Sequence, residues 1–339
     1  PAESTHWHQR PRVVLACHAF TYHDGVQAYA STSGASDCTI SRGRDSVLMI
    51  DIQHRSFEET LLACEALGGV DLIVTSPPYC DARTASAYGT ADAWREEQYK
   101  ALGDACFAAL KPGGHAIVNV DAPVREWRKG FGTERGFHAW RLMLDWAERV
   151  GFRVPDRLAF GRNGLPGAYG GRFRNDWEPL LWFQRPGADG YFDKASLDAP
   201  SPYGCSGTTT QRKADGTMYS RVASGAAVEN GITRRGTLWS YGGTGHGQSG
   251  SAGLEATGHP ARFPLRLAID VVACFCPPEG IACDPFMGSG TSAVACVTLG
   301  RSVIGGDLGA RETDGKRWAD IARENADAIA NPTQQSLFV

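Results

Sequence analysis

Ile281-Ala282-Cys283-Asp284-Pro285-Phe286-Met287-Gly288-Ser289-Gly290-Thr291 is an apolar strand run that opens into a glycine turn. A helix-like stretch at 291–299 follows, then a second strand run at 302–307. Strand, glycine turn, helix and strand in that order describe a parallel βαβ unit. Gly288 and Gly290 let a ligand approach the backbone closely. Ser289 or Thr291 is expected to help cap the helix.

Outward from this unit the same alternation recurs. Apolar runs at 47–50 (ending at Asp51), 70–74, 115–120, 154–160 and 178–183 read as strands. Periodic stretches at 57–67, 91–110, 137–150, 263–276 and 316–330 read as helices, with Lys111-Pro112-Gly113-Gly114 ending the second of them. Alternating strands and helices imply a mostly parallel sheet covered on both faces. Residues 186–258 interrupt the pattern with Gly, Ser and Thr. So long an irregular stretch in a compact domain is either a functional insertion or partly disordered. Residues 1–45 show weak periodicity and read as an arm. The resulting division is 1–45, 46–185, 186–258 and 259–339.

The bulk properties exclude several classes. The 339 residues have ordinary apolar and charged fractions, and no uncharged apolar run reaches membrane-spanning length. The nearest approach, at 265–276, is broken by Arg266 and Asp270. The N-terminus has no basic region followed by an apolar one, so secretion is not expected. The sequence opens on Pro1, so a native start is expected upstream. Ten cysteines without a secretory signal favour reduced thiols and a cytoplasmic location. Cys274, Cys276, Cys283 and Cys296 are closely spaced but form no paired knuckles, so buried packing is expected and no metal. The net charge of −3 is unevenly spread: 121–185 and 205–266 each carry net +4, and the remainder −11. Such local excesses suit a phosphate-binding surface or ordinary solvated faces equally.

Two motifs carry chemistry. Thr75-Ser76-Pro77-Pro78-Tyr79 follows a buried strand directly, at the sheet edge where open α/β folds bind ligands. Two prolines stiffen the backbone and remove two N–H donors. The Ser76 hydroxyl and Pro77 carbonyl remain as acceptors, suited to a donor-rich exocyclic amine. The Tyr79 ring can stack on a planar base brought out of its helix. In the glycine turn no Gly-Lys-Ser/Thr occurs, which disfavours a nucleoside triphosphate. Asp307, closing the next strand, suits ribose hydroxyls and hence a nucleoside-bearing cofactor.

Together with His259-Pro260-Ala261-Arg262-Phe263-Pro264, these motifs resemble the DNA amino-methyltransferases, which modify N4 of cytosine or N6 of adenine. Their order resembles the permuted subgroup in which the catalytic motif precedes the cofactor loop. The resemblance covers about 47–330, excluding much of 186–258. It implies a Rossmann-like fold with a seven-stranded, mostly parallel sheet and S-adenosylmethionine as cofactor. Asp51, Thr75, Asp284, Pro285, Phe286, Gly288, Ser289, Gly290, Thr291 and Asp307 would line that cofactor, with Asp51 near the adenine and Asp307 on the ribose. Ser76, Pro77, Pro78 and Tyr79 would hold the target base. Lys111–Gly114 and Asn175-Asp176-Trp177-Glu178 are family landmarks with structural roles. Target recognition would fall at 186–258. The implied partner is DNA, and the subgroup allows a homodimer and a cognate restriction endonuclease.

Serine before Pro-Pro leans toward N4 of cytosine over N6 of adenine. Methylation at cytosine C5 needs a thiolate, usually after proline, and the chain has no Pro-Cys. Cys80 is read as a bystander. A catalytically silent DNA-binding relative would be expected to have lost one of the two motifs. A dehydrogenase reading lacks the full G-x-G-x-x-G context.

Overall fold

The computed structural model describes residues 39–42, 47–79, 96–121, 124–126, 133–161, 173, 175–200, 208–222, 232–241 and 264–331. Most of the expected N-terminal arm, Cys80, and residues 259–263 lie outside this set.

In chain order the elements are β1 (Thr39–Arg42), β2 (Val47–Gln53), α1 (Phe57–Ala66), β3 (Val70–Thr75), α2 (Glu96–Ala109) and β4 (Leu110–Asn119). There follow β5 (Val124–Glu126), β6 (Thr133–Arg135), α3 (His138–Asp145), β7 (Arg157–Gly161), β8 (Trp177–Gln184) and β9 (Ala199–Pro200). Next come β10 (Thr208–Arg212), β11 (Met218–Val222), β12 (Ile232–Thr233) and β13 (Leu238–Ser240). The chain continues with α4 (Leu265–Phe275), β14 (Ile281–Asp284), α5 (Thr291–Thr298), β15 (Ser302–Gly306) and α6 (Trp318–Ala330).

The main sheet has nine strands in the order β1-β2-β15-β14-β3-β4-β8-β7-β13. Strands β2, β15, β14, β3 and β4 run parallel. β8 is antiparallel to both of its neighbours, β4 and β7. The expected seven strands form its centre, and two further edge strands correct the count to nine. One edge, β1, pairs antiparallel with β2. The other, β13, pairs parallel with β7 and comes from within 186–258, so that interval is partly built into the sheet. It also holds the hairpin β10–β11.

Each side of the sheet buries its own core. Leu72, Val74, Ile117, Ala282 and Val303 pack with α4, α5 and α6. Ile73, Ala116, Val118, Cys283 and Ile304 pack with α1, α2 and α3. The alternation of side chains along each strand produces this division. It also separates the cysteines: Cys283 lies with Cys64 and Cys106 on one side, and Cys274, Cys276 and Cys296 lie on the other. All six are buried, and burial holds the Cys274 and Cys276 thiols up at about 12, as unreactive packing groups.

Local expectations were shifted in three places. Lys111–Gly114 does not stand between helix and strand but lies inside β4. Gly113, at φ +82°, sits in the register shift between Leu110 and His115, where a Cβ would lie 2.9 Å from the Asp189 carbonyl oxygen. The helix expected at 137–150 is α for His138–Asp145 and then widens into a π turn, Trp146–Val150, ended by Gly151 at φ +96°. The strand expected at 154–160 is Arg157–Gly161. Helix α1 begins as its sequence suggests. Ser56 accepts from the Glu59 N–H at 3.3 Å while the Glu59 carboxylate accepts from the Ser56 N–H at 2.9 Å.

Candidate active site

From β3 the chain crosses to β4 on one side, and from β14 it crosses to β15 on the other. β3 and β14 are neighbours, so the connection reverses between them. A crevice opens at the carboxyl ends of strands at such a reversal, and ligands bind there. The two motifs occupy those two ends.

The Thr75 hydroxyl donates to Asp284 Oδ1 at 2.7 Å, the Phe286 N–H donates to the same oxygen at 3.0 Å, and the Ser292 hydroxyl donates to Oδ2 at 2.5 Å. Asp284 is buried, and burial pushes its carboxyl up to about 6 against these hydrogen bonds, with Asp307 adding to the rise. Asp307 spans the next turn. Its Oδ2 accepts from the Gly288 N–H at 2.8 Å and its Oδ1 from the Gly309 N–H at 2.7 Å. Asp307 therefore holds the glycine turn itself, and each oxygen keeps a second lone pair for a ligand hydroxyl.

Gly290, at φ +89°, precedes α5 as its N-cap without a side-chain cap, which corrects the capping expected from Ser289 or Thr291. A Cβ there would lie 2.7 Å from Ala322 Cα in α6, so the turn presses against that helix. The Ser289 carbonyl accepts from Asn325 Nδ2 at 2.9 Å, and Ser289 and Thr291 are buried. Pro285 is buried, and the buried Phe286 ring lies 5.6 Å from that of Phe57.

Asp51 does not end its strand. It pairs in register with Ile304, and β2 runs on to Gln53. Its Oδ1 accepts from Gln53 Nε2 at 2.7 Å and its Oδ2 from Arg55 Nη2 at 3.0 Å. Sequence reasoning missed both partners, although Arg55 stands four residues beyond Asp51.

The proline turn is held from two sides. The Tyr99 hydroxyl of α2 donates to the Pro78 carbonyl at 2.7 Å, and the Tyr79 hydroxyl donates to Glu178 Oε2 at 3.2 Å. Among the described residues, no hydrogen bond engages the Ser76 hydroxyl or the Pro77 carbonyl. Those two acceptors remain for a ligand, while the following carbonyl and phenol are used internally. Tyr99 was not legible as a site residue, because nothing local ties a helix tyrosine to a turn 21 residues earlier.

Residues 70–314 match the family model for DNA methylase, N6_N4_Mtase. The chain belongs to the DNA methylase family. Methylases of this family take their methyl group from S-adenosylmethionine. This methylase is 26% identical over 258 residues to the orphan methyltransferase M.BamHII of Bacillus amyloliquefaciens, covering 75% of this chain and 88% of that one. It is 30% identical over 162 residues to the Type II methyltransferase M.ScaI of Streptomyces caespitosus, covering 48% and 45%. Its fold matches the PvuII DNA methyltransferase (cytosine-N4-specific) at TM-score 0.50 with 16% identity, over 79% of this chain and 86% of that one. It also matches a putative DNA modification methylase of Thermus thermophilus at TM-score 0.50 with 19% identity, over 82% and 94%. Among the described residues of the methylase, no helix is long and apolar enough to cross a membrane.

The described residues suit this cofactor. Asp51, Asp284 and Asp307 stand on or just beyond three adjacent strands; the first two are engaged by internal donors, and Asp307 keeps lone pairs beyond the two glycine N–H groups it accepts from.

Proposed function

We propose that the methylase transfers the methyl group to the exocyclic N4 amine of cytosine in DNA. The observation that carries this reading is the Thr75–Asp284 hydrogen bond, which joins the exit of β3 to the cofactor turn of β14. The free acceptors of Ser76 and Pro77 thereby stand beside the space suited to S-adenosylmethionine. Serine at position 76 supports cytosine over adenine.

S-adenosylmethionine supplies an electrophilic methyl group when bound. In this reading the target nucleotide leaves the duplex at a cost of a few kcal/mol. Ser76 and the Pro77 carbonyl accept the two amine hydrogens and turn the nitrogen lone pair away from them. The Tyr79 ring lies against the base. Pro77 and Pro78 keep the acceptors from moving, and this orientation supplies much of the acceleration. Asp284, Pro285, Phe286, Gly288, Ser289, Gly290 and Thr291 shape the cofactor side with Thr75, Asp307 binds the ribose, and Asp51 lies toward the adenine. Residues 46–185 form the catalytic half, 259–339 the cofactor half, and 186–258 the target-recognition region. The positively charged stretches 121–185 and 205–266 support a phosphate-facing surface. A homodimer and a companion restriction endonuclease belong to the same reading, and sedimentation tests the first.

The test is incubation with S-adenosylmethionine and unmethylated duplex DNA of mixed sequence, then digestion to nucleosides and mass spectrometry. N4-methyldeoxycytidine is the expected product. N6-methyldeoxyadenosine would reverse the choice of base while keeping the turn and its acceptors. The absence of any methylated nucleoside, with cofactor binding intact, would overturn the reading in favour of a silent DNA-binding relative.

A further inference from the structure

Glu178 is a buried carboxylate that the transfer reaction, as described above, does not use. It is 5% exposed and stands second in β8, the antiparallel strand beyond β4. Because β8 runs against its neighbours, its first residues reach the carboxyl edge of the parallel strands. Leu181 pairs with Val118, and Val118 pairs with Thr75, so Glu178 lies beyond Thr75 on the side where the proline turn projects. Its Oε2 accepts the Tyr79 hydroxyl at 3.2 Å. Around it the backbone is fixed: Asn119 Nδ2 donates to the Pro179 carbonyl at 3.0 Å, and Phe160 pairs with Glu178 in the ladder. A carboxylate kept this far from water needs hydrogen-bond donors, and a phenol is one.

The Tyr79 ring packs against the core on the α1–α3 side, while its hydroxyl ends on Glu178. The ring is therefore held at both ends, by its backbone in the stiff proline turn and by its phenol. A ring that must receive a planar base pays less on capture if it is already immobile.

We propose that Glu178 is a positioning residue for base capture, holding the Tyr79 ring in place as one wall of the base slot. The proposal rests on the amino-methyltransferase reading but on neither choice of base. Glu178 acts on the DNA side of the crevice and not on the cofactor side, which the glycine turn, Asp284 and Asp307 form. Loss of Glu178 is accordingly expected to lower turnover on DNA and leave cofactor affinity unchanged.

The experiment measures methyl transfer to unmethylated mixed-sequence duplex DNA and S-adenosylmethionine affinity by calorimetry. It compares wild type, Glu178→Leu, Glu178→Gln, Tyr79→Phe and the double variant Tyr79→Phe/Glu178→Leu. Loss of one buried hydrogen bond sets the scale, so kcat is expected to fall about ten-fold in Tyr79→Phe and in Glu178→Leu. Glu178→Gln, which keeps an acceptor oxygen, is expected to recover most of the rate. The double variant should be no slower than the slower single variant if the shared Tyr79–Glu178 hydrogen bond carries the effect. Cofactor Kd should stay within about two-fold throughout, which a general loss of structure would not allow. Wild-type turnover in Tyr79→Phe or in a cofactor-competent Glu178→Leu would overturn the proposal, as would additive losses in the double variant. If Glu178→Leu fails to fold, Tyr79→Phe and Glu178→Gln decide alone: a slow Phe variant beside a fast Gln variant supports the clamp. A wild-type protein that methylates no DNA would sink the amino-methyltransferase reading and this proposal with it.

Discussion

The hydroxyl of Thr75 donates to the carboxylate of Asp284 across 2.7 Å of space and 209 residues of sequence. Thr75 ends the strand that leads into the proline turn, and Asp284 ends the strand that leads into the glycine turn. One hydrogen bond thus ties the start of the proline turn to the start of the glycine turn.

Replacing Ser76 by Ala removes one of the two unengaged acceptors and nothing that supports the fold. Turnover is expected to fall by about one to two orders of magnitude, the scale of a hydrogen bond made in the transition state. Calorimetric affinity for S-adenosylmethionine should not change. Wild-type turnover in this variant would remove Ser76 from the proposed mechanism.

Asp307→Ala leaves the Gly288 and Gly309 N–H groups without their acceptor. A loss of roughly 1–3 kcal/mol in stability is expected for such buried donors. Cofactor affinity should fall more than turnover at saturating cofactor, because the turn loses its support together with the proposed ribose acceptor. Titration calorimetry and urea unfolding measure the two effects.

Two buried groups oppose each other in acid. The Asp284 carboxyl is pushed up to about 6 by burial, so between about 4 and 6 the folded protein holds a proton that the unfolded chain has released. That contribution is fully present below about 4 and is lost as pH rises. The His115 ring is pushed down to about 4 by burial, with Nε2 on the Tyr191 carbonyl at 2.9 Å and Nδ1 accepting from the Trp182 indole at 3.1 Å. There the unfolded chain holds the extra proton, so this contribution is fully present above about 6.5 and is lost as pH falls. Each is worth roughly 3 kcal/mol across its window, with opposite sign. Asp284→Asn is therefore expected to make stability climb more steeply from pH 4 to pH 6.5 than in the wild type. Urea unfolding at intervals across that range checks it, and an unchanged slope would contradict the elevation of Asp284.

Gly290 and Gly300 both have positive φ, at +89° and +71°. Only Gly290 faces another helix, whereas a Cβ on Gly300 would meet open space. Each alanine substitution carries backbone strain of order 1 kcal/mol. Gly290→Ala adds the clash with α6, so its Tm should fall further than that of Gly300→Ala. Equal losses would mean that α6 yields without cost.

Much of this protein is readable along the chain because local rules write it there. The strand leading into Thr75 and the glycine turn after Asp284 each announce themselves within a few residues. Period and punctuation are local quantities, and they determined the α/β class, the residues of both motifs and the membership of the main strands. They were weaker where two local signals conflicted. Pro112 and Gly113 read as a break, yet β4 runs through them as an irregularity between Leu110 and His115. Leu238–Ser240 is too short to stand out from a Gly- and Ser-rich stretch, and becomes a strand only because the β7 edge is there to pair with. Partnership across the chain was decided by tertiary structure alone. The sequence determined that Thr75, Asp284, Asp307 and Glu178 follow or begin strands. Only the folded sheet decided that β14 lies against β3, that Asp307 grips the glycine turn, that Arg55 occupies Asp51, and that Glu178 meets Tyr79. The reason is physical: a strand's periodicity records which face it buries, while its neighbours are chosen by the burial and hydrogen bonding of the whole sheet.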